Sequence, residues 1–183
     1  MKYLLDGQET ARLRLRLFKK DDLKIMEDMY KDPQDRTFLA MPQEPSTKEL
    51  MDLWWGYCTK RYESDRGGEN AMIDKKTGKL VGQCGLLVQD VNGVEELEVS
   101  YAILPQYRNL GYAIEAAKKL RNYAFEHGFA DSLISIIHVD NGASENVARK
   151  NGMVNVASTE LWNLPVHIYR INVEEWKKQQ YNS

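Results

Sequence analysis

Residues 95–139 set a helix pattern between two strand patterns, and this order constrains the chain more than any other feature. Glu95–Leu104 alternates Leu97, Val99, Tyr101 and Ile103 along one face, as a strand requires. Pro105 opens a short loop. From about Gly111 to His127 the residues Ile114, Ala117, Leu120, Ala124 and Phe125 then recur at helical spacing. Gly128 stands where a helix C-terminus favours a residue of positive φ. Ser132–Val139 follows as an isoleucine-rich run suited to a buried central strand.

The flanking segments extend the same alternation of elements. Arg-Leu-Arg-Leu-Arg-Leu at 12–17 puts Leu13, Leu15 and Leu17 on one face of a strand and leaves the arginines on a solvated one. Asp21 and Asp22 are expected to open a helix through Leu23 and Met26 that Asp32-Pro33 ends; 35–45 reads as irregular. Ser46-x-x-Glu49 is a capping-box pattern before a helix to about Glu63, with Leu50, Leu53, Trp54 and Tyr57 as its apolar stripe. Asp65-Arg66-Gly67-Gly68 reads as a break, followed by strands at 69–74 and 79–89 with turns at 75–78 and 90–93. Beyond Val139 the pattern predicts a helix over 143–151, strands at 153–160 and 165–173, and a last helical turn at 174–180. With no repeat, low-complexity tract or linker, residues 1–183 read as one α/β domain.

Composition removes several functional classes. Of 183 residues, 43% are hydrophobic and 28% charged, and the formal net charge is -2, which gives no sequence-wide attraction to nucleic acid. No apolar run is long enough to span a bilayer, and Asp6 and Glu9 interrupt what a signal peptide would need, so a cytoplasmic protein without a membrane partner is expected. Cys58 and Cys84 match no zinc spacing; two reduced thiols are expected, and the sequence leaves one bridge between them open. His127, His138 and His167 lack ligand spacing, so no metal is expected. Lys75-Lys76 reads as a solvated turn.

The loop Gln106-Tyr107-Arg108-Asn109-Leu110-Gly111 feeds directly into the central helix. The first N–H groups of a helix have no intrahelical partner, and the helix dipole adds partial positive charge there, so a glycine-headed N-terminus suits an anion. Gly111 lets a phosphate approach the backbone, Ala113 keeps the first turn uncrowded, and Arg108 adds positive charge. A Walker loop is absent because no Gly-Lys-Ser/Thr follows, and a Rossmann fingerprint would need further glycines.

Arg108-x-x-Gly111-x-Ala113 resembles the Gln/Arg-x-x-Gly-x-Gly/Ala signature of GNAT-superfamily acetyltransferases. Asn141-x-x-Ser144 followed by Lys150-Asn151-Gly152-Met153, and Glu98-Val99-Ser100-Tyr101, resemble the matching runs of its ribosomal-protein-alanine N-acetyltransferase group. The N-terminal Arg-Leu strand and Glu174-Glu175-Trp176 fit as well.

The resemblance implies a mixed, mostly antiparallel, twisted sheet flanked by helices, in which the strand at 97–104 splays from a parallel strand at 132–139. Acetyl-coenzyme A would be the co-substrate. Its pantetheine arm would pair with backbone at Ile103 and Leu104, and its diphosphate would rest on the N–H groups of Arg108, Asn109, Leu110, Gly111, Tyr112 and Ala113. Asn141 and Ser144 would face the arm near its sulfur, with Asn146 and Lys150 farther out.

An amine such as lysine's titrates near roughly 10.4, so the acceptor needs a base; Glu98, acting through water, is the candidate. A backbone N–H near Ile103 would serve the oxyanion. The position of the acid tyrosine of many family members is Ala148 here; the resemblance to the ribosomal-protein-acetylating group implies Ser144 as the acid instead, with Tyr101 second. Neither cysteine sits at a family nucleophile position, so direct transfer in a ternary complex is expected.

The acceptor stays open between a protein N-terminus and a small amine, and the chain between monomer and homodimer. Trp55 and Trp162 are candidates for the acceptor pocket. The alternatives are a non-catalytic acyl-coenzyme A-binding or sensor module, and a purely structural interaction domain.

Overall fold

A computed structural model of the chain describes residues 2–181. Its strands are β1 (Leu13–Leu17), β2 (Gly67–Asp74), β3 (Leu80–Val91), β4 (Val94–Ile103), β5 (Ser132–His138), β6 (Val154–Leu161) and β7 (Leu164–Asn172). They form one sheet in the order β1-β2-β3-β4-β5-β7-β6. β4 and β5 are parallel; the other neighbours pair antiparallel. The expected mixed, mostly antiparallel α/β sheet is therefore present.

Its helices are α1 (Leu23–Met26), α2 (Pro33–Phe38), α3 (Thr47–Tyr62), α4 (Tyr112–Glu126), α5 (Gly142–Lys150) and α6 (Val173–Tyr181). On one face of the sheet α4 buries Ala116, Ala117, Leu120 and Ala124 against Leu97, Val99, Leu133 and Ile137. The small alanines let α4 lie close to the strands. On the other face Met26, Leu50, Trp54 and Cys58 pack on Ala71, Leu80 and Leu104. Alternate residues of each central strand thus point into different cores, which fixes which side chains share a face.

Several local expectations are corrected. The helix read from Asp21 to Asp32 is two 3-10 turns, Lys20–Asp22 and Glu27–Tyr30, around the short α1. Asp22 does not cap it with open solvent around; its carboxylate takes Arg16 Nη1 at 2.6 Å and Arg16 Nη2 at 2.8 Å. Asp32 starts a helix instead of ending one: its side chain accepts from Gln34 N–H at 2.8 Å and Pro33 takes the first helical position, giving α2 inside the supposedly irregular stretch.

The capping box at Ser46 and Glu49 forms as read. The stripe of α3 is rotated, however: Leu50, Met51, Trp54 and Cys58 are buried, whereas Leu53 and Tyr57 are exposed. Gly67 and Gly68 begin β2 rather than break it. At Gly67, with φ +70°, a Cβ would stand 1.9 Å from the Leu86 carbonyl oxygen, so the close pairing of β2 with β3 requires glycine there.

Candidate functional site

β4 and β5 share a single paired position, Glu98 with Ile134. Beyond it, side chains replace ladder bonds: Ser135 Oγ donates to the Val99 carbonyl at 2.8 Å, and the Ile136 N–H donates to Glu98 Oε1 at 3.4 Å. The two strands then part. Backbone direction on β4 follows from the ladder with β3. The Leu104 N–H donates to the Val81 carbonyl at 3.0 Å, so Ser100, Ala102 and Leu104 aim their backbone groups at β3. Val99, Tyr101 and Ile103 aim theirs into the gap. Ile103, one of the two residues expected to offer its backbone, faces the gap. Leu104, the other, spends its amide on β3 and buries its side chain, and Tyr101 stands beside Ile103 on the open edge.

The loop beside the gap turns through Asn109, φ 62°, and Gly111, φ 81°, into α4. Gly111 is the N-cap and offers no side-chain cap, so the first-turn amides of Tyr112, Ala113 and Ile114 lack intrahelical acceptors. Arg12 holds this loop from outside. Its Nη1 donates to the Leu110 carbonyl at 2.8 Å, its Nε meets Glu115 Oε2 at 2.6 Å, and its guanidinium lies 4.6 Å from the Tyr112 ring centre. Tyr112 in turn donates to Asp74 Oδ2 at 2.8 Å. The arginines read as solvated are thus paired to carboxylates, Arg14 to Glu9 included.

Arg108 differs from expectation. Its Nε donates to the Ile103 carbonyl at 3.2 Å and its Nη2 to Asp35 Oδ2 at 2.8 Å, so its charge is paired with α2 rather than free for an anion.

Glu98 is buried at the fork. Gln89 Nε2 donates to Glu98 Oε2 at 2.7 Å. Burial raises its pKa, against the lowering effect of Gln89, the Ile136 N–H and Arg61. Glu69, which sequence reading left as the start of a strand, is buried in the same cavity and accepts from Ser100 Oγ at 2.7 Å. Burial, opposed by Ser100 and reinforced by Glu98, brings it to about 7. Its sequence carried little signal, because Asn70 and Asp74 also interrupt the apolar residues of that strand.

On the far side of the gap, Asn141 Oδ1 accepts the Ser144 N–H at 3.1 Å and so caps α5. The Ser144 carbonyl accepts from Tyr101 O–H at 3.0 Å, tying β4 to α5 across the opening. The cavity of about 1080 Å³ is shared by Glu98, Ile103, Gly111, Asn141, Ser144 and Lys150 among others; Arg108, Asn109, Tyr112, Ala113 and Asn146 also line it. Leu110 and Leu104 do not belong to that lining. Trp162 stands exposed at its rim and Trp54 in its wall, whereas Trp55 packs against the cluster under α3.

Cys58 and Cys84 are free and buried in different clusters, and burial raises both thiols, Cys58 to about 12. Neither is poised as a nucleophile. Among the described residues no group of His, Cys, Asp and Glu is placed to hold a metal, and no helix is long and apolar enough to cross a membrane.

A parallel pair that opens beside an uncapped helix N-terminus leaves unpaired backbone donors along one cavity, with a buried carboxylate at the fork. The chain belongs to the GNAT acetyltransferase family: residues 12–154 match the model described as acetyltransferase (GNAT) domain. It is 29% identical over 163 residues to the uncharacterized protein YkkB of Bacillus subtilis (strain 168), covering 87% of this chain and 92% of YkkB. The fold is that of an acetyltransferase from Agrobacterium tumefaciens str. C58, with TM-score 0.75 and 22% identity over 94% of this chain and 97% of that one. It is also that of a Vibrio cholerae spermidine N-acetyltransferase solved with CoA and spermine, with TM-score 0.72 and 16% identity over 91% and 99% of the two chains.

Proposed function

We propose that this protein transfers the acetyl group of acetyl-coenzyme A to a primary amine, directly, in a ternary complex. The observation that carries the reading is the parting of β4 from β5 just after Glu98, which leaves the Tyr101 and Ile103 backbone turned into a gap. A pantetheine arm has the amides to pair with that edge as an added strand would. Its diphosphate would rest on the amides from Asn109 to Ala113 at the head of α4. Ser144, Asn146 and Lys150 would meet the arm and the nucleotide along α5, and Asn141 would act there by capping that helix. Arg108 would contribute by shaping the loop, since its charge is paired with Asp35.

Glu98 is the base. Its position at the fork supports this reading, because the thioester end of such an arm would lie near it, and burial makes it a stronger base than an exposed glutamate. It takes a proton from the ammonium through water; the neutral nitrogen attacks the thioester carbon; and the tetrahedral oxyanion forms against an amide of the open edge near Ile103. Collapse breaks the C–S bond and forms the amide. The departing thiolate, with a pKa near that of cysteine at about 8.5, takes a proton from Ser144 or water, which recovers it from the second N–H of the intermediate's nitrogen, and Glu98 releases its own proton to solvent. Tyr101 is less suited, because its hydroxyl already donates to Ser144 and burial raises its pKa.

The motif likeness to the ribosomal-protein-alanine N-acetyltransferases lies at 98–101 and 141–153, on the donor side of the cavity, and does not select the acceptor. A non-catalytic acyl-coenzyme A sensor would use the same donor half without Glu98. Glu98→Gln separates the two. Thiol release measured across a panel of amines and N-terminal peptides is expected to fall about 10²–10⁴-fold in the variant, with the dissociation constant for acetyl-coenzyme A held. Undiminished turnover would remove Glu98 from the chemistry, and no turnover by the wild type on any acceptor would favour the sensor.

A further inference from the structure

The cavity floor beneath α3 holds a carboxylate that the proposed transfer does not employ. Glu69 on β2 is paired with Gly85 on β3, and Gly85 with Ser100 on β4. Gly85 has no side chain to block the path across β3, and Glu69 Oε1 reaches Ser100 Oγ at 2.7 Å. Its other oxygen, Oε2, is buried and has no hydrogen-bond partner, although the residue lines the cavity and is only 6% exposed. A buried carboxylate oxygen without a donor is costly, and that cost falls away when a ligand brings the donor.

Glu69 lies near enough to Glu98 for that charge to raise its pKa. Glu98 and Ser100 are two residues apart on one face of β4, roughly 6.5–7 Å along the strand, and Glu69 lies against Ser100. Among the described residues no cation bonds to either carboxylate. Arg61 of α3 faces them, but its guanidinium is spent on the carbonyls of Arg66, Gly67 and Val88 and on the Tyr57 hydroxyl. Tyr30, Tyr57, Tyr62, Cys58 and Cys84 also face Glu69, and burial raises the pKa of each, which keeps them neutral.

We propose that Glu69 is the seat for a second ammonium group of the acceptor, so that the substrate is a short linear diamine reaching from Glu98 to Glu69. This rests on the reading of Glu98 as the base beside the reacting nitrogen. In an extended 1,4-diaminobutane the nitrogens stand about 6 Å apart by ordinary bond geometry, close to the rise from Glu98 to Ser100, the residue against which Glu69 rests. The far ammonium gives Glu69 Oε2 its missing donor in a charge-assisted bond. With its carboxyl near 7, Glu69 passes to the carboxylate when that cation arrives. An acceptor bearing its own carboxylate meets two like charges and is turned away.

The test compares 1,4-diaminobutane, 1-aminobutane and ornithine in thiol-release assays and in calorimetric titrations, with the wild type, Glu69→Gln, Ser100→Ala and Glu98→Gln. In the wild type the diamine is expected to exceed 1-aminobutane in kcat/KM by roughly 10- to 100-fold, with ornithine as poor as the monoamine. Glu69→Gln should collapse that ratio through KM, Ser100→Ala should lower it partway, and Glu98→Gln should act on kcat. Equal handling of diamine and monoamine by the wild type overturns the seat, whether or not any variant folds. So does an unchanged ratio in Glu69→Gln. If no amine releases thiol, calorimetry decides: a diamine bound by the wild type and lost in Glu69→Gln keeps the seat and sinks acetyl transfer. A diamine that does not bind, beside a peptide that is acetylated, sinks the seat and keeps the transfer.

Discussion

Arg108 Nη2 stands 2.8 Å from Asp35 Oδ2, and this pair fastens the loop at the head of α4 to the short helix α2. One partner belongs to the proposed donor site and the other to the α2 segment, and both line the same cavity. Asp35 is the more buried of the two. Asp35→Asn would leave Arg108 as an uncompensated cation beside the diphosphate cradle. Acetyl-coenzyme A is expected to bind roughly 2- to 5-fold tighter, the range of a partly exposed ion pair, while the acceptor KM rises as α2 loosens. Titration calorimetry reads the first and steady-state kinetics the second. Weaker donor binding would mean that the pair itself shapes the cradle.

Gly111 adopts φ 81°, and a Cβ there would lie 3.3 Å from Arg12 Nη2. Gly111→Asp adds positive-φ strain of about 1 kcal/mol and sets a carboxylate at the mouth of the amide cradle. The dissociation constant for acetyl-coenzyme A should rise at least about 10-fold, since a like charge replaces a favourable helix terminus. A Gly111→Ala control carries the strain without the charge and should lose much less. Equal losses in the two variants would place the effect in the backbone rather than in electrostatics.

At Gly85 an added Cβ would stand 2.4 Å from the Gly68 carbonyl oxygen and 2.9 Å from its carbon, both backbone atoms that a rotamer change cannot move aside. Gly85→Ala should therefore push β2 away from β3 and cost about 1–3 kcal/mol, read as a lower urea midpoint. Because Glu69 reaches Ser100 over this residue, the diamine preference should fall with it.

Stability should carry the signature of Glu69 as well. Its folded carboxyl titrates at about 7, above the unfolded value, so the folded state holds more protons between the two. The neutral acid is compatible with burial below the unfolded pKa, and that stability is lost as pH rises through about 7. The loss approaches about 3 kcal/mol by linkage. Glu69→Gln has no such proton, so wild type and variant should be closest at pH 5, with the variant the more stable at pH 8. Urea unfolding at both pH values checks this; a pH-independent difference would show that Glu69 does not titrate there. Glu98, Arg61, Tyr57 and Tyr62 share this environment, and the difference between the two proteins isolates the one group.

Much of the framework was legible because it is encoded locally. Ser46 and Glu49 announce the start of α3, Gly128 the end of α4, and the alternation of Leu97, Val99, Tyr101 and Ile103 the face that meets α4. Two errors were also local in origin. Asp32-Pro33 starts a helix as readily as it stops one, and Gly67-Gly68 reads as a break unless the neighbouring strand is known to press on it.

The chain by itself determined the order of its elements, the glycine at the head of α4, and the place of Glu98 on a strand beside that loop. Periodicity and caps act over a few residues and are written in the order of the side chains. Only the tertiary structure decided that β4 leaves β5 just past Glu98, that Leu104 turns its amide to β3 while Tyr101 faces the gap, and that Arg108 is spent on Asp35. It alone brought Glu69 across Gly85 to Ser100. Those outcomes depend on ladder register and on partners far apart in the chain, and no local spacing records them.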